Sequence, residues 1–253
     1  QVMHAVQQIT GKQVHLYPID LCDEVALRKV FQDHQIDGVI HFAGLKSVGE
    51  SAKIPLTYYR NNLIGTLNLL EQMQANECFD LVFSSSATVY GLPQELPITE
   101  ETPVNPINTY GRTKVFIEQF LQDMSSGDAR WRIMSLRFFN PLGAHQSGDL
   151  GEDPQGLPNN LAPYITQIAV GRLDKLMVFG NDFKTPDGTS VRDYLHVEDL
   201  AQGHIAALKY LLESANDEGF EVVNLGSGKG YSVLEMIHSF EKVTGKKIPY
   251  AFE

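Results

Sequence analysis

Apolar positions along this chain switch between helical spacing and short continuous runs, and the switching recurs down its length. A helix is predicted over 2–9, stopped by Gly11, and followed by the strand-like Gln13-Val-His-Leu-Tyr-Pro-Ile. Over 23–34, Ala26, Leu27, Val30 and Phe31 share one helical face. Gly38-Val-Ile-His-Phe-Ala reads as a buried strand, 56–75 as a long helix and 79–85 as another apolar strand. An amphipathic helix over 109–124 and a strand over 131–138 complete the regular part. Alternation of this kind predicts βαβ units, hence a parallel sheet with helices on both faces.

Beyond Asn140 the pattern loosens. Residues 141–160 hold Gly, Pro, Asp and Asn in a stretch too long and irregular for an ordinary connection, and such loops commonly carry function. A helix over 161–170, a strand over 176–179, a helix over 199–214 and strands over 221–225 and 247–252 follow. The expected fold is therefore α/β, a doubly wound parallel sheet (Rossmann-like) with a small C-terminal substrate lobe. Residues 1–140 are assigned to the dinucleotide-type domain. Residues 141–253 are assigned mostly to the substrate lobe, with segments returning to the main sheet. Gly226-Ser-Gly-Lys-Gly230 is read as a turn after a strand, because its spacing and late position do not suit a phosphate loop.

Composition narrows the function classes. A 253-residue chain with 43% hydrophobic and 20% charged residues suits a soluble globular enzyme. Its formal charge of −11 argues against nucleic acid or an anionic membrane as the main partner. Cys22 and Cys78 are too few for a disulfide framework and lack metal-ligand spacing, so buried inert thiols in a reducing compartment are expected. No apolar run approaches the ~20 residues of a membrane span, and no signal peptide opens the sequence. A cytoplasmic, soluble protein without a metal site is expected.

The candidate chemistry sits on Tyr110 and Lys114, a Y-x-x-x-K pair, with Ser86 upstream at the end of an apolar strand. A free phenol titrates near pH ~10 and is a poor base at neutrality. A lysine ammonium four residues on lies on the same helical face and is expected to favour the phenolate. A serine hydroxyl beside it can hydrogen-bond the reacting oxygen and pass the proton along. The spacing alone is common, but ligands of parallel sheets bind at the carboxyl ends of the strands, which is where Ser86 falls. His41, inside a strand, and His196, just before a helix, are read as structural.

Four strings sharpen this: His41-Phe-Ala-Gly-Leu-Lys-Ser-Val-Gly-Glu-Ser51, Ser84-Ser-Ser-Ala-Thr-Val-Tyr-Gly91, Leu136-Arg-Phe-Phe-Asn-Pro141 and Gly151-Glu-Asp-Pro-Gln-Gly-Leu-Pro-Asn-Asn-Leu161. With Val191-Arg-Asp-Tyr-Leu-His-Val-Glu-Asp-Leu200, the chain resembles the UDP-glucose 4-epimerase family of extended short-chain dehydrogenases/reductases over nearly its whole length. Sugar-nucleotide dehydratases, by contrast, usually carry a Thr-Asp/Glu pair where this chain has Ser86-Ala87, and without that acid epimerisation fits better than loss of water.

The resemblance implies NAD as cofactor. It puts Asp20 and Leu21 at the adenine side, and Phe42, Ala43, Gly44, Leu45 and Lys46 beside the ribose and phosphates. Asn61, Ser86, Tyr110, Lys114 and Phe139 become further cofactor contacts. For the UDP-sugar substrate it implies Ser86, Tyr110, Asn140, Asn160, Leu161, Phe179 and Arg192. By themselves, Asn160 would read as a helix N-cap and Arg192 as the partner of Asp193 in a surface ion pair. Phe138 departs from the tyrosine common in the family. The implied activity is reversible epimerisation of UDP-glucose and UDP-galactose at C4, through a 4-keto sugar, in galactose metabolism. A homodimer paired through the helices over 56–75 and 109–124 is also implied.

Two rivals remain. One is a related UDP-sugar epimerase or decarboxylase. The other is a catalytically impaired piece of a longer protein, since the glycine-rich turn and a C-terminal part of the family pattern are not found.

Overall fold

The computed structural model describes residues 2–154, 156–213 and 219–253. Helix α1 (Val2–Thr10) comes first. The next segment overturns an expectation. Residues 13–19 join no sheet, and nearly all are exposed. A strand exists only where its amides and carbonyls meet a neighbour, and none of the described strands lies beside this one.

Helix α2 (Glu24–Asp33) begins at Asp23, whose side chain accepts from the Ala26 amide, and it buries Leu27 and Phe31. Strand β1 (Val39–His41) follows, then short helices α3 (Val48–Lys53) and α4 (Pro55–Tyr59). The single helix expected over 56–75 is interrupted. A π-helical turn, Arg60–Ile64, separates α4 from α5 (Gly65–Ala75). One widened turn rotates the asparagines inward, and Asn62 is buried with every side-chain polar atom bonded. Strand β2 (Asp80–Ser84), a 3₁₀ turn (Ala87–Tyr90), α6 (Thr109–Gly127) and β3 (Arg132–Phe138) continue the alternation.

Then come β4 (Asn140–Leu142), α7 (Leu161–Ala169), β5 (Leu176–Val178), β6 (Val191–His196) and α8 (Val197–Glu213). Strands β7 (Phe220–Leu225) and β8 (Gly230–Ser232), helix α9 (Val233–Thr244) and strand β9 (Tyr250–Phe252) end the order. Ser214, the last residue of the helix expected over 199–214, and Gln155 of the fourth string lie outside the described residues.

The chain divides into two compact units. In one, Val6–Phe138 and Ala201–Leu225 build an all-parallel sheet in the order β1-β2-β3-β7. Alternate residues of β2 face opposite ways, as pleating requires. Leu81 and Phe83 enter a core with Leu70, Met73, Ile117, Leu121 and Trp131, whereas Val82 joins Met134, Leu136, Ala207 and Leu211. Both faces of the sheet are therefore covered, which explains why its strands read as apolar runs rather than alternating ones. The fold class expected from the sequence is thus observed.

The other unit holds Phe139–Leu200 and Gly226–Glu253 with the first residues of the chain. Its β4 pairs with β6 in parallel, β6 with β8 antiparallel, and β5 with β9 in parallel. Ile165, Ile168, Leu176, Val178, Ile237 and Ile248 form its core. Helix α9 is fixed at its start by a reciprocal cap between Ser232 and Glu235 and at its end by Gly245 in the left-handed conformation.

Leu81 of β2 is fully buried in the core on one face of the sheet. Replacing it with alanine is expected to lower unfolding stability by about 2–5 kcal/mol, read as a lower urea midpoint at an unchanged slope.

Candidate functional site

The trio is assembled by three local devices within the parallel-sheet unit. Strand β2 ends at Ser84, and two residues later the Ser86 side chain accepts from the Thr88 amide, capping the 3₁₀ turn. Gly91 closes that turn at φ +65, where a Cβ would sit 2.0 Å from the Asn105 carbonyl oxygen, so no other residue fits without moving backbone. Helix α6 starts at Asn108, whose side chain accepts from the Gly111 amide at 2.7 Å. The Tyr110 amide, in the helix's first turn, donates to Ser51 Oγ at 3.2 Å.

Tyr110 and Lys114 then lie one turn apart on the buried face. Lys114 Nζ donates to the Ser84 carbonyl at 2.8 Å and lies 4.7 Å from the Phe83 ring centroid and 5.9 Å from that of Tyr110. Tyr110, Lys114 and Ser86 are all more than nine-tenths buried.

Burial dominates the electrostatics. It lowers Lys114 to about 8, a fall that the Glu118 carboxylate partly offsets. It also pushes the Tyr110 phenol above its ordinary range, with hydrogen bonding to Ser86 offsetting part of that rise. Lys114 Nζ lies 5.9 Å from the Tyr110 ring centroid, and the contribution that opposes burial at the phenol is the hydrogen bond to Ser86. His41 takes the structural part expected of it. It is buried, its Nε2 is 2.8 Å from Thr66 Oγ1, and burial followed by the Lys114 charge lowers it to about 3, so it is neutral at physiological pH.

The segment Phe42–Lys46 leaves the carboxyl end of β1 with Phe42, Ala43, Gly44 and Lys46 exposed. The Asn62 amide grips it from behind, accepting from the Leu45 amide at 2.8 Å and donating to the Leu45 carbonyl at 3.0 Å. Asn62 also donates to Thr113 Oγ1 at 3.0 Å, beside Lys114. Gly44 has φ +156, and a Cβ there would press on Asn62 Oδ1 at 3.2 Å.

Sequence reasoning singled out Asn61 and missed Asn62. Two adjacent asparagines inside an apolar helical pattern were the available signal. Asn61 donates to Asn62 Oδ1 at 3.0 Å, and the exposed Asp20 accepts from the Cys22 amide next to the half-buried Leu21. The donor set fits a dinucleotide. A glycine bend bares backbone, a cation (Lys46) follows it, Phe42 offers an aromatic face, and Lys114 keeps two N–H donors beyond its bond to Ser84.

The remaining expected residues belong to the other unit. Asn140 opens β4 opposite Tyr194 of β6, and Phe139 precedes it, half-buried. Arg192 is exposed on β6, with Nη1 bonded to the Val191 carbonyl at 2.7 Å. Its expected bland partner is occupied elsewhere, since the Asp193 carboxylate accepts from Ser227 and from the Gly228 amide. That contact also explains the Gly226–Gly230 turn. Asn160 stands at the N-cap position of α7, but its side chain donates to Glu152 rather than capping. Leu161 is half-buried against the unit's core and Phe179 is 73% exposed. His196 Nδ1 accepts from the Glu198 amide at 3.3 Å, in the first turn of α8. Among the described residues no group of three or more His, Cys, Asp or Glu side chains is arranged to hold a metal.

Residues 3–231 match the family described as NAD dependent epimerase/dehydratase. The chain belongs to that family. It is 54% identical over 252 residues to UDP-glucose 4-epimerase of Bacillus subtilis, covering 100% of this chain and 74% of that one. The Drosophila melanogaster UDP-glucose 4-epimerase is 56% identical over 251 residues, 99% of this chain and 71% of the relative. A crystal structure of UDP-glucose 4-epimerase from Bifidobacterium longum in complex with NAD⁺ and UDP superposes with a TM-score of 0.94 at 54% identity. It covers 99% of this chain and 74% of its own.

Replacing Lys114 with methionine should remove both function and a folding penalty. The folded ammonium titrates near 8 against 10.5 for an ordinary lysine, so its burial disfavours folding fully below pH 8. Thermal unfolding at pH 7 is expected to show the variant more stable by on the order of 1–3 kcal/mol. The difference should shrink as pH rises from 8 towards 10.5, where the wild-type lysine folds uncharged.

Proposed function

We propose that this chain catalyses the reversible, NAD-dependent epimerisation of UDP-glucose and UDP-galactose at C4. The single observation that carries this reading is the buried Ser86–Tyr110–Lys114 arrangement at the carboxyl end of β2, in a chain 54–56% identical to two UDP-glucose 4-epimerases. In this reading Tyr110 takes the proton of the C4 hydroxyl, directly or through Ser86, and returns it to the C4 oxygen when the hydride comes back to the opposite face of the ring. The 4-keto sugar formed between the two steps turns over while its diphosphate stays anchored. Lys114 holds the carboxyl end of β2 through the Ser84 carbonyl and directs its other donors to the nicotinamide ribose. Phe42–Lys46, Asp20, Leu21, Asn61 and Phe139 hold the dinucleotide. When bound, NAD⁺ supplies the hydride acceptor and donor at C4 and the positive charge that a phenolate at Tyr110 requires. Ala87, following Ser86, offers no acid for eliminating water, which supports epimerisation over dehydration.

Substrate anchoring falls to Arg192, Asn140, Asn160, Leu161 and Phe179. The Arg192 guanidinium can bind diphosphate oxygens in pairs, and the exposed Phe179 ring offers a face to the uracil. Cofactor binding is thus assigned to residues 1–140 and substrate binding mostly to 141–253. A homodimer through α4, α5 and α6 is supported by the exposed Leu56, Ile64, Leu67 and Phe116 on those helices and the π turn. We place the protein in the cytoplasm and in galactose metabolism. Among the described residues, no helix is long and apolar enough to cross a membrane.

Tyr110→Phe removes the base and little else. A coupled assay of UDP-galactose turnover is expected to show kcat reduced about 10²–10⁴-fold, with the folded state intact by circular dichroism. Unimpaired turnover in that variant sinks the assignment. In the same assay, UDP-galactose should be converted and UDP-glucuronate not, and the reverse preference favours the uronate enzymes. Native mass spectrometry of the purified chain is expected to show bound NAD.

A further inference from the structure

A charged network lies beneath the trio. Glu118, Arg137 and Tyr90 are each more than nine-tenths buried and bonded to one another. Arg137 on β3 grips Glu118 on α6 through both arms of its fork, with Nη2 to Oε2 at 2.6 Å and Nε to Oε1 at 3.0 Å. Ser135 Oγ gives Glu118 a further donor at 2.9 Å. The remaining arm of Arg137 donates to the Tyr90 hydroxyl at 3.1 Å, and that hydroxyl donates to Asn224 Oδ1 at 2.6 Å. The guanidinium also lies 5.0 Å from the Tyr90 ring centroid. Asn224 ties in the following loop, bonded by Glu100 and by the Ile98 carbonyl.

Burying an ion pair adds little net stability over apolar side chains of the same shape, and fixing geometry is the better-attested use of one. Here the two ends of the network are the two elements that carry the trio. Glu118 follows Lys114 by one helical turn and Tyr110 by two, on the same face of α6. Tyr90 ends the 3₁₀ turn that Ser86 begins, and the Val89 amide returns to the Ser86 carbonyl at 3.1 Å. Arg137 lies between them. We propose that the Glu118–Arg137–Tyr90 link is a positioning device that sets the Ser86 hydroxyl against Tyr110 and Lys114. It rests on the function proposed above. Proton transfer tolerates little misplacement, so a shift of about 1 Å in Ser86 costs as much as 10²-fold in rate.

The test is a double-mutant cycle on the full chain: wild type, Tyr90→Phe, Ser86→Ala and the pair, each assayed for kcat and KM with UDP-galactose at saturating NAD. Tyr90→Phe keeps the ring and removes both hydroxyl bonds. It is expected to lower kcat about tenfold while KM stays within about threefold, and to cost less than about threefold once Ser86 is already alanine. An equal loss on both backgrounds, or no loss at all, overturns the proposal.

If Tyr90→Phe folds poorly by thermal scan, Glu118→Gln supplies the second measurement. The groups facing Lys114 are Tyr110 and Glu118 on α6, neutral His41 from β1, and the Ser84 carbonyl and Phe83 ring from β2. Without the Glu118 charge the alkaline fall of kcat should move to lower pH, and an unmoved limb overturns the link. A fully active Tyr110→Phe chain marks failure of the proposed function instead. An inactive Tyr110→Phe chain with an additive cycle marks failure of the positioning device alone.

Discussion

An ammonium without water is the constraint on which the rest of this site depends. Lys114 is buried at the carboxyl end of the central strands, held by one carbonyl and flanked by two aromatic rings. A charge in that setting forces decisions on its neighbours. His41 behind it is held neutral by burial and by the lysine's own field. Glu118 one turn away is gripped by Arg137, and its charge partly offsets the fall of Lys114. The parallel sheet makes this possible, because covering both faces leaves the strand ends as the place where polar groups and ligands can meet.

The same burial separates what the protein supplies from what it awaits. An exposed tyrosine beside a lysine would be a slightly better acid than a free phenol. This tyrosine is a worse one, since desolvation outweighs its hydrogen bond to Ser86. In the function proposed above the chain would contribute geometry and dryness, and the charge that favours a phenolate at Tyr110 would be supplied by the bound cofactor.

How much of this was legible in the sequence follows from which interactions are local. Strands β1, β2, β3 and β7 announced themselves as apolar runs, because both faces of the sheet are covered. Helix α6 did so through its amphipathic spacing, while the Asn108 cap at its start emerged only in the structure. The segment over 13–19 has the same apolar look yet is no strand here, because strand identity is completed by a hydrogen-bonded neighbour and not by composition. The π turn was invisible for a similar reason: what stabilises it is Asn62 reaching Leu45 and Thr113, contacts 17 and 51 residues away in sequence. Tyr110, Lys114 and Ser86 could be singled out because a Y-x-x-x-K pair and a serine at a strand end have a recognisable pattern. Asn62, Arg137 and Tyr90 were not, because a buried hydrogen-bond node has no sequence period at all.

That asymmetry bears on how an epimerase of this kind must be built. The reaction as proposed requires a sugar that is free to turn and reacting groups that do not move while it turns. In that proposal the looser contacts are left to the exposed Phe179 and Arg192. Rigidity is harder, because hydrophobic packing is non-directional and tolerates small slides. Directional bonds do not. Asn62 fixes the Phe42–Lys46 turn to α6 through Leu45 and Thr113, and Arg137 joins α6 to the Ser86 turn through Glu118 and Tyr90. Each pins a different neighbour to the same helix, so Tyr110 and Lys114 on that helix are the common reference for both turns. A fold that placed equal volumes of leucine at those positions could be as stable, but it would leave the Ser86–Tyr110 geometry to packing alone.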